Sequence, residues 1–159
     1  MENLRILNKK ENERILNIIK ENYDIKDIDF DCAMLINKEG KIFLISNDIH
    51  KIDLNKLRVN ELGLYIARLD KELRLTIEGS QIFGKYANKN ILEINEDQAN
   101  KWMTGEEINC HKEFDSFVII KYKDNYLGTG KYKEGRIINY IPKERWIKIN
   151  SLDQDTNVN

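Results

Sequence analysis

FVIIKYKDNYLGTGKYKEGRIINYIPKERWI, residues 117–147, is the stretch of the chain that decides the fold. Its apolar and polar residues alternate in three runs, which predict strands at 117–123, 126–132 and 136–141. Residues 123–125 and 133–135 carry the Asp, Asn and Gly typical of tight turns. Three short strands joined in this way predict a compact antiparallel barrel or sandwich. Basic and aromatic residues alternate along it, which is a surface suited to phosphates and flat base rings.

The residues just before this stretch predict a strand and two helices. Residues 78–87 have apolar side chains at helical spacing but contain two glycines, so we expect a short helix with a turn at its end. Residues 91–94 form the next predicted strand. Asn95 is a good N-cap for a helix that runs through Trp102, a predicted core residue, and stops at Gly105.

The first half of the chain predicts a helix and a set of strands. Residues 8–23 show an amphipathic helical pattern. Residues 29–36 and 41–46 predict a hairpin joined by a turn that contains Gly40. A helical turn at 54–57 and strands at 62–69 and 73–77 follow. The predicted class is α+β, with domains at 1–71 and 72–150 and a frayed polar tail at 151–159.

The charge of the chain is nearly balanced but unevenly distributed. The 159 residues have a net charge of −1, and 41% of them are hydrophobic, enough for a real core. Residues 111–149 carry 9 basic and 5 acidic side chains, whereas residues 76–110 carry 3 and 6. A neutral protein with one basic end is compatible with a local RNA footprint and argues against coating of long duplexes.

Cysteines and apolar segments indicate the setting of the protein. Cys32 and Cys110 lie far apart, outside any CxxC or Cys/His cluster, so we expect neither a zinc site nor a bound cofactor. The chain has no secretory signal pattern, and no apolar run approaches the roughly 20 residues that span a bilayer. We therefore expect a reducing, cytoplasmic location.

Two separated motifs carry a resemblance to a known family. Residues 75–84, LTIEGSQIFG, and residues 122–145, which include LGTGK and NYIPKER, together resemble a PUA domain. The likeness is to the C-terminal RNA-binding PUA domain of Sun-type RNA cytosine-5 methyltransferases and covers residues 72–149. By length and element order, the first half is similar to the pre-PUA domain that precedes some PUA domains.

The resemblance implies a pseudo-β-barrel that binds structured RNA, tRNA or rRNA, through its first short helix and a late strand. In this chain the resemblance assigns the helix side of the RNA-binding site to Gly79, Ser80, Gln81, Gly84 and Lys85. The strand side comprises Lys131, Lys133, Arg136, Lys143 and Arg145. From the residues alone, an ordinary solvated face is about equally plausible for these cations. By strand parity Lys131 and Lys133 share one face, and Tyr132 points to the core.

Several groups could suggest catalysis, but their sequence context favours structural roles. Gly128-Thr129-Gly130 lacks the following helix and the third glycine of a nucleotide loop, so we expect it to permit strand bending and close packing. Cys110 and His111 are adjacent and lack a third orienting group, which favours a buried thiol beside a surface imidazole. Glu106 and Glu107 are expected to be a solvated pair.

The sequence therefore predicts a non-catalytic RNA-binding module rather than an enzyme. Its partners would be structured RNA and, in RNA modification or ribosome biogenesis, a separate methyltransferase or assembly factor. The alternative is a protein-interaction adaptor that docks on such an enzyme or on a ribosomal protein, a role that the acidic segment 76–110 could serve.

Overall fold

A computed structural model describes residues 4–28, 32–46 and 63–147 of the protein. The first half of this part is an antiparallel five-stranded sheet in the order β1-β2-β3-β4-β5. Its strands are β1 (Arg5–Ile6), β2 (Cys32–Ile36), β3 (Lys41–Ser46), β4 (Leu64–Leu69) and β5 (Leu73–Leu75). The hairpin between β2 and β3 is closed by Asn37, whose side-chain oxygen accepts hydrogen bonds from the backbone N–H groups of Glu39 and Lys41.

Helix α1 (Lys9–Tyr23) packs against one face of this sheet. Asn8 caps it in a capping box with Glu11, where each side chain accepts a hydrogen bond from the other residue's backbone N–H. Its apolar stripe places Ile15, Ile19 and Tyr23 in the core. The amphipathic pattern of the sequence is thus sufficient to orient the helix.

The second half contains two helices and another five-stranded sheet. The helices are α2 (Ile77–Phe83), which continues into a 3-10 turn at Gly84–Tyr86, and α3 (Glu96–Met103), which is capped by Asn95. The sheet has the order β6-β8-β9-β10-β7, and only its β6–β8 pair is parallel. Its strands are β6 (Ile91–Glu93), β7 (Ile108–Asn109), β8 (Val118–Tyr122), β9 (Asn125–Lys133) and β10 (Arg136–Asn139).

Strand β8 joins the two halves because it is buried on both faces. Val118 and Ile120 point into the core of the second sheet, around Trp102 and Ile137. Ile119 points the other way, into the core between α1 and the first sheet. All three side chains have 0% exposure. A strand covered on both sides needs a continuous apolar run, which is what residues 117–120 supply.

The C-terminal end of α1 is tied to the second half by polar contacts as well. The Tyr23 hydroxyl donates a 2.9 Å hydrogen bond to the carbonyl oxygen of Phe117, and the Tyr23 carbonyl accepts one from the Asn88 backbone N–H. The Asn90 side chain donates to the Asn22 carbonyl and to the Asp115 carboxylate. The two halves therefore share both a core and a hydrogen-bonded seam.

The α+β class and the main elements agree with the sequence predictions. Strands β1 and β7 were not predicted, because two residues are too few to show an alternating pattern. The antiparallel pairing predicted for the last three strands is confirmed for β8, β9 and β10. No partner was predicted for β6, which pairs with β8 in parallel because α3 and the chain after it connect these two strands as a crossover. The predicted boundary at 71–72 falls in the turn of the β4–β5 hairpin, and the division into domains stays a prediction. The predicted helical turn at 54–57, the tail and residues 29–31 of the first hairpin lie outside the described residues.

We expect Tyr23→Phe to lower the free energy of unfolding by about 1–3 kcal/mol, because the buried Phe117 carbonyl loses the hydroxyl bound to it. Urea denaturation measures this change. Tyr86→Phe is the matched control, since Tyr86 is 43% exposed and its substitution should change stability by less than about 0.5 kcal/mol. Equal effects of the two substitutions would contradict a structural role for the Tyr23 hydroxyl.

The same variant should also differ from the wild type in how its free energy of unfolding depends on alkaline pH. Burial raises the pKa of Tyr23 well above its usual value. Above about pH 10 the unfolded chain releases this phenol proton while the folded protein keeps it, so the stability falls as the pH rises. Tyr23→Phe has no such proton, and the stability gap between the two proteins should narrow between about pH 9 and 11. A constant gap in urea titrations would contradict this.

Candidate nucleic-acid interface

The outward face of the β9–β10 ladder carries three of the predicted cations. Arg136 lies directly opposite Lys133 in the antiparallel register, and Lys131 is two residues from Lys133, so all three share one face. Each is exposed. Tyr132 points to the other side and packs against the second core. We call Lys131, Lys133 and Arg136 the strand cations.

Carboxylates accompany several of the predicted cations. The Lys131 ammonium lies 2.6 Å from Glu72, the Arg136 guanidinium 3.2 Å from Glu107, and the Arg145 guanidinium 2.7 Å from Glu78. The hydrogen bond that the Lys131 ammonium donates to the Glu72 carboxylate raises the pKa of Lys131, which keeps this side chain charged. Exposed pairs of this kind contribute at most about 1 kcal/mol, so a phosphate can replace the carboxylate at little cost. Lys133 and Lys143 have no carboxylate partner within the described part of the chain.

A pocket lies beside the strand cations, between the β4–β5 hairpin and the outer face of the second sheet. Its volume is about 360 Å³. We call it the junction pocket. Its lining comprises four cations, two carboxylates and two aromatic rings: Arg68, Lys71, Arg74, Lys131, Asp70, Glu72, Phe117 and Tyr140. Of these, sequence reasoning named only Lys131 as a site residue.

The aromatic side of the junction pocket is built from ring and cation contacts. The Phe117 and Tyr140 rings meet edge to face, with centroids 5.1 Å apart and planes at 87°. The Arg74 guanidinium carbon lies 5.0 Å from the centre of the Tyr140 ring, and the Lys131 ammonium lies 5.6 Å from the centre of the Phe117 ring. These contacts fall within cation–π range and give each side chain a fixed neighbour.

A smaller depression connects the junction pocket to the start of α2. Arg74 and Tyr140 line both depressions, and the smaller one also contacts Glu78, Pro142 and Arg145. Arg145 is therefore joined to the strand cations by a continuous surface. Arg74 and Tyr140 stand at its centre. Strand parity could have indicated that Tyr140 belongs to this surface. In the predicted last strand it lies two residues from Ile138 and four from Arg136, so it shares a face with Arg136.

Three residues predicted on the helix side lie inside the protein. Ser80 has 0% exposure, and its hydroxyl donates to the Ile77 carbonyl while it accepts from the Gly128 N–H. Gly79 and Gly84 are buried, and a side chain on them would overlap the Ile66 carbonyl and the Tyr126 ring, respectively. The Gly84 N–H is already bonded to the Ser80 carbonyl. The expectation that these three groups face a ligand was wrong, because they hold α2 against β4 and β9.

The other predicted residues are exposed. Gln81 lies on α2, and Lys85 lies past its end, where its ammonium is 5.1 Å from the Tyr86 ring centre. Lys143 lies with Arg145 in a 3-10 turn that follows Pro142. No contact in the described residues connects Lys85 to the strand cations. The structure thus brings together Lys131, Lys133, Arg136 and Arg145, and leaves Lys85 apart.

The groups that could have suggested catalysis have packing or surface positions. Gly128, at φ +81°, and Gly130 allow β9 to bend against Ile77 and Trp102. Cys110 is buried and His111 is exposed, as predicted. Within the described residues, no group of three His, Cys, Asp or Glu side chains could hold a metal ion. No helix there is both long and apolar enough to cross a membrane.

Part of the second half is similar to a known family. Residues 89–147 match the family described as the methyltransferase RsmF PUA domain. This confirms the predicted resemblance to the PUA domain of Sun-type methyltransferases, and the second sheet agrees with a PUA-like pseudo-barrel. The pre-PUA assignment of the first half stays a prediction.

Full-length relatives are similar along most of the chain. The ribosomal RNA small subunit methyltransferase F of Aeromonas salmonicida is 26% identical over 137 residues, which cover 85% of this chain and 28% of that protein. The corresponding protein of Aeromonas hydrophila is 29% identical over 112 residues, covering 69% and 23%. That of Psychromonas ingrahamii is 27% identical over 119 residues, covering 70% and 24%. The chain thus spans about a quarter of the length of these relatives.

We expect Ser80→Ala to lower the free energy of unfolding by about 1–3 kcal/mol, because the buried Gly128 N–H loses its acceptor. The exposed neighbour Gln81 provides the control, and Gln81→Ala should change stability by less than about 0.5 kcal/mol. Urea denaturation of both variants measures the difference. A Ser80→Ala protein as stable as the wild type would contradict the packing role of Ser80 and would leave it a candidate for ligand binding.

Proposed function

We propose that this protein is an RNA-binding module that recognises structured ribosomal RNA during rRNA modification, without performing the chemistry itself. The observation that carries the proposal is that the strand cations lie within residues 89–147, the segment that matches the PUA domain of an rRNA methyltransferase. The two Aeromonas relatives are named as ribosomal RNA small subunit methyltransferases, so rRNA is the first candidate ligand.

The proposed mechanism is electrostatic anchoring of the RNA backbone. Lys133 offers an ammonium that has no carboxylate partner among the described residues, while Lys131, Arg136 and Arg145 exchange their surface carboxylates for phosphates. Phosphate contacts of this kind hold and position an RNA but do not read its sequence. Since the overall charge is only −1, long-range attraction is weak, and binding depends on these local contacts.

One observation favours a binding role over catalysis, namely that Cys110, the thiol that could have served as a nucleophile, is buried in the second core. We propose that the module acts in the cytoplasm beside a separate methyltransferase or ribosome-assembly factor. A role as a protein adaptor is the competing outcome of the test below.

We expect the double variant Lys133→Glu/Arg136→Glu to bind small-subunit rRNA fragments more weakly than the wild type. Losing two phosphate contacts should also reduce the slope of log K against log salt by about 1.4–1.8. Fluorescence anisotropy titrations at several salt concentrations measure both quantities. Both side chains are exposed, so the fold should be unaffected.

Lys9→Glu/Lys10→Glu is the matched control for this double variant. It makes the same change in net charge on exposed residues in the first turn of α1, where acidic side chains favour the helix. The control should bind RNA with a nearly unchanged salt slope. Equal loss in both variants would contradict the strand cations as the site. The adaptor role would be favoured if the wild type bound no RNA at low salt and if a partner protein still co-purified with it after nuclease treatment.

A further inference from the structure

A row of three cations crosses the first sheet at the edge of the junction pocket. Lys41 of β3 lies directly opposite Arg68 of β4, and Arg68 lies directly opposite Arg74 of β5. Lys41 has Glu39 at 3.4 Å, but neither arginine has a carboxylate within ion-pair distance in the described part of the chain. Like charges directly opposite each other destabilise a sheet. An anion bound between them would relieve this repulsion.

The aromatic wall of the pocket is suited to a flat ring. Tyr140 is half-buried, and Arg74 lies over its ring, while Phe117 is buried and supports Tyr140 edge-on. Unstacked RNA bases stack on aromatic rings and on guanidinium planes, and this wall offers one of each. The row of cations therefore adjoins a stacking surface.

Size and charge narrow the choice of ligand. Small-molecule sites usually have volumes of about 300–1,000 Å³, and the 360 Å³ of the pocket is at the low end. It has four cations and two carboxylates, and one of these, Glu72, is already paired with Lys131. A single nucleotide, with one flat base and one phosphate, matches this combination. A base inside a duplex is stacked and paired, so it could not enter the pocket.

We propose that the junction pocket receives one unpaired nucleotide of the bound RNA, with its base against Tyr140 and Arg74 and its phosphate between Arg68 and Arg74. This inference rests on the proposed function and deepens it. Lys131 contacts the pocket and shares a face with Lys133 and Arg136, so an RNA backbone held by the strand cations passes the pocket mouth. The strand cations then hold the RNA backbone, and the pocket selects RNAs that have an unpaired nucleotide in a loop or bulge.

The test compares two RNAs of equal length and composition, a hairpin with an unpaired loop and a fully paired duplex. The wild type should bind the hairpin more tightly. Tyr140→Leu should weaken hairpin binding about 5- to 140-fold, equivalent to the about 1–3 kcal/mol of one base stack, and leave duplex binding unchanged. Tyr140→Phe keeps the ring and should bind like the wild type. Tyr86→Leu, at an exposed tyrosine beyond α2, is the control.

Three further measurements separate loss of base stacking from loss of protein stability. Arg74→Gln leaves both rings in place and should also weaken hairpin binding more than duplex binding. A 2-aminopurine in the loop reports base stacking directly, and its fluorescence change on binding should be lost in Tyr140→Leu. Thermal melts of each variant establish that the titrated protein is folded.

The outcomes distinguish the pocket from the strand cations. Equal binding of hairpin and duplex by the wild type, or no effect of Tyr140→Leu and Arg74→Gln, would overturn the pocket while leaving the proposed function intact. If the wild type bound neither RNA at low salt, both proposals would fail. Adenosine monophosphate that bound as tightly as the hairpin and displaced it would assign the pocket to a free nucleotide, which also overturns the inference.

Discussion

The burial of β8 on both faces is the constraint on which the rest of the structure depends. Val118 and Ile120 face the second core and Ile119 faces the first, so this one strand serves as a wall for both. Each fully buried aliphatic side chain contributes about 1.5–3 kcal/mol. The Tyr23 hydroxyl on the Phe117 carbonyl fixes the strand's start relative to α1. Displacing β8 would therefore open both cores at once.

The candidate interface follows from this arrangement. Val118 of β8 lies opposite Gly130 of β9, so Phe117 and Lys131 are neighbours on the face of the sheet that points away from the second core. The β4–β5 hairpin lies against this face and forms the other side of the pocket. The core faces of β4 and β5 are taken by aliphatic residues, which leaves Arg68 and Arg74 on the opposite face. Cations from one half and aromatic rings from the other thus line one pocket. Neither half contains such a pocket alone.

Local signals predicted the helices and the longer strands because their causes are local. Asn8 and Asn95 cap their helices through side chains that reach only three residues ahead, and Gly105 ends α3 with a φ of +96°. The strand parity of Lys131 and Lys133 likewise needs no partner strand. The prediction that Gly79, Ser80 and Gly84 face a ligand was wrong for the opposite reason. Whether Ser80 is a ligand or a packing group depends on Gly128, which is 48 residues away in sequence.

The sequence by itself determined the α+β class, the order of the main elements and the basic face of the last strands, because periodicity, capping and turn residues act over a few positions. Its two motifs, at residues 75–84 and 122–145, carried the resemblance to a PUA domain. Only the tertiary structure decided the parallel pairing of β6 with β8, the burial of Gly79, Ser80 and Gly84, and the meeting of Arg68 and Arg74 with Tyr140. These depend on contacts between distant segments. Such contacts are set by packing of whole elements, which no short window of residues encodes.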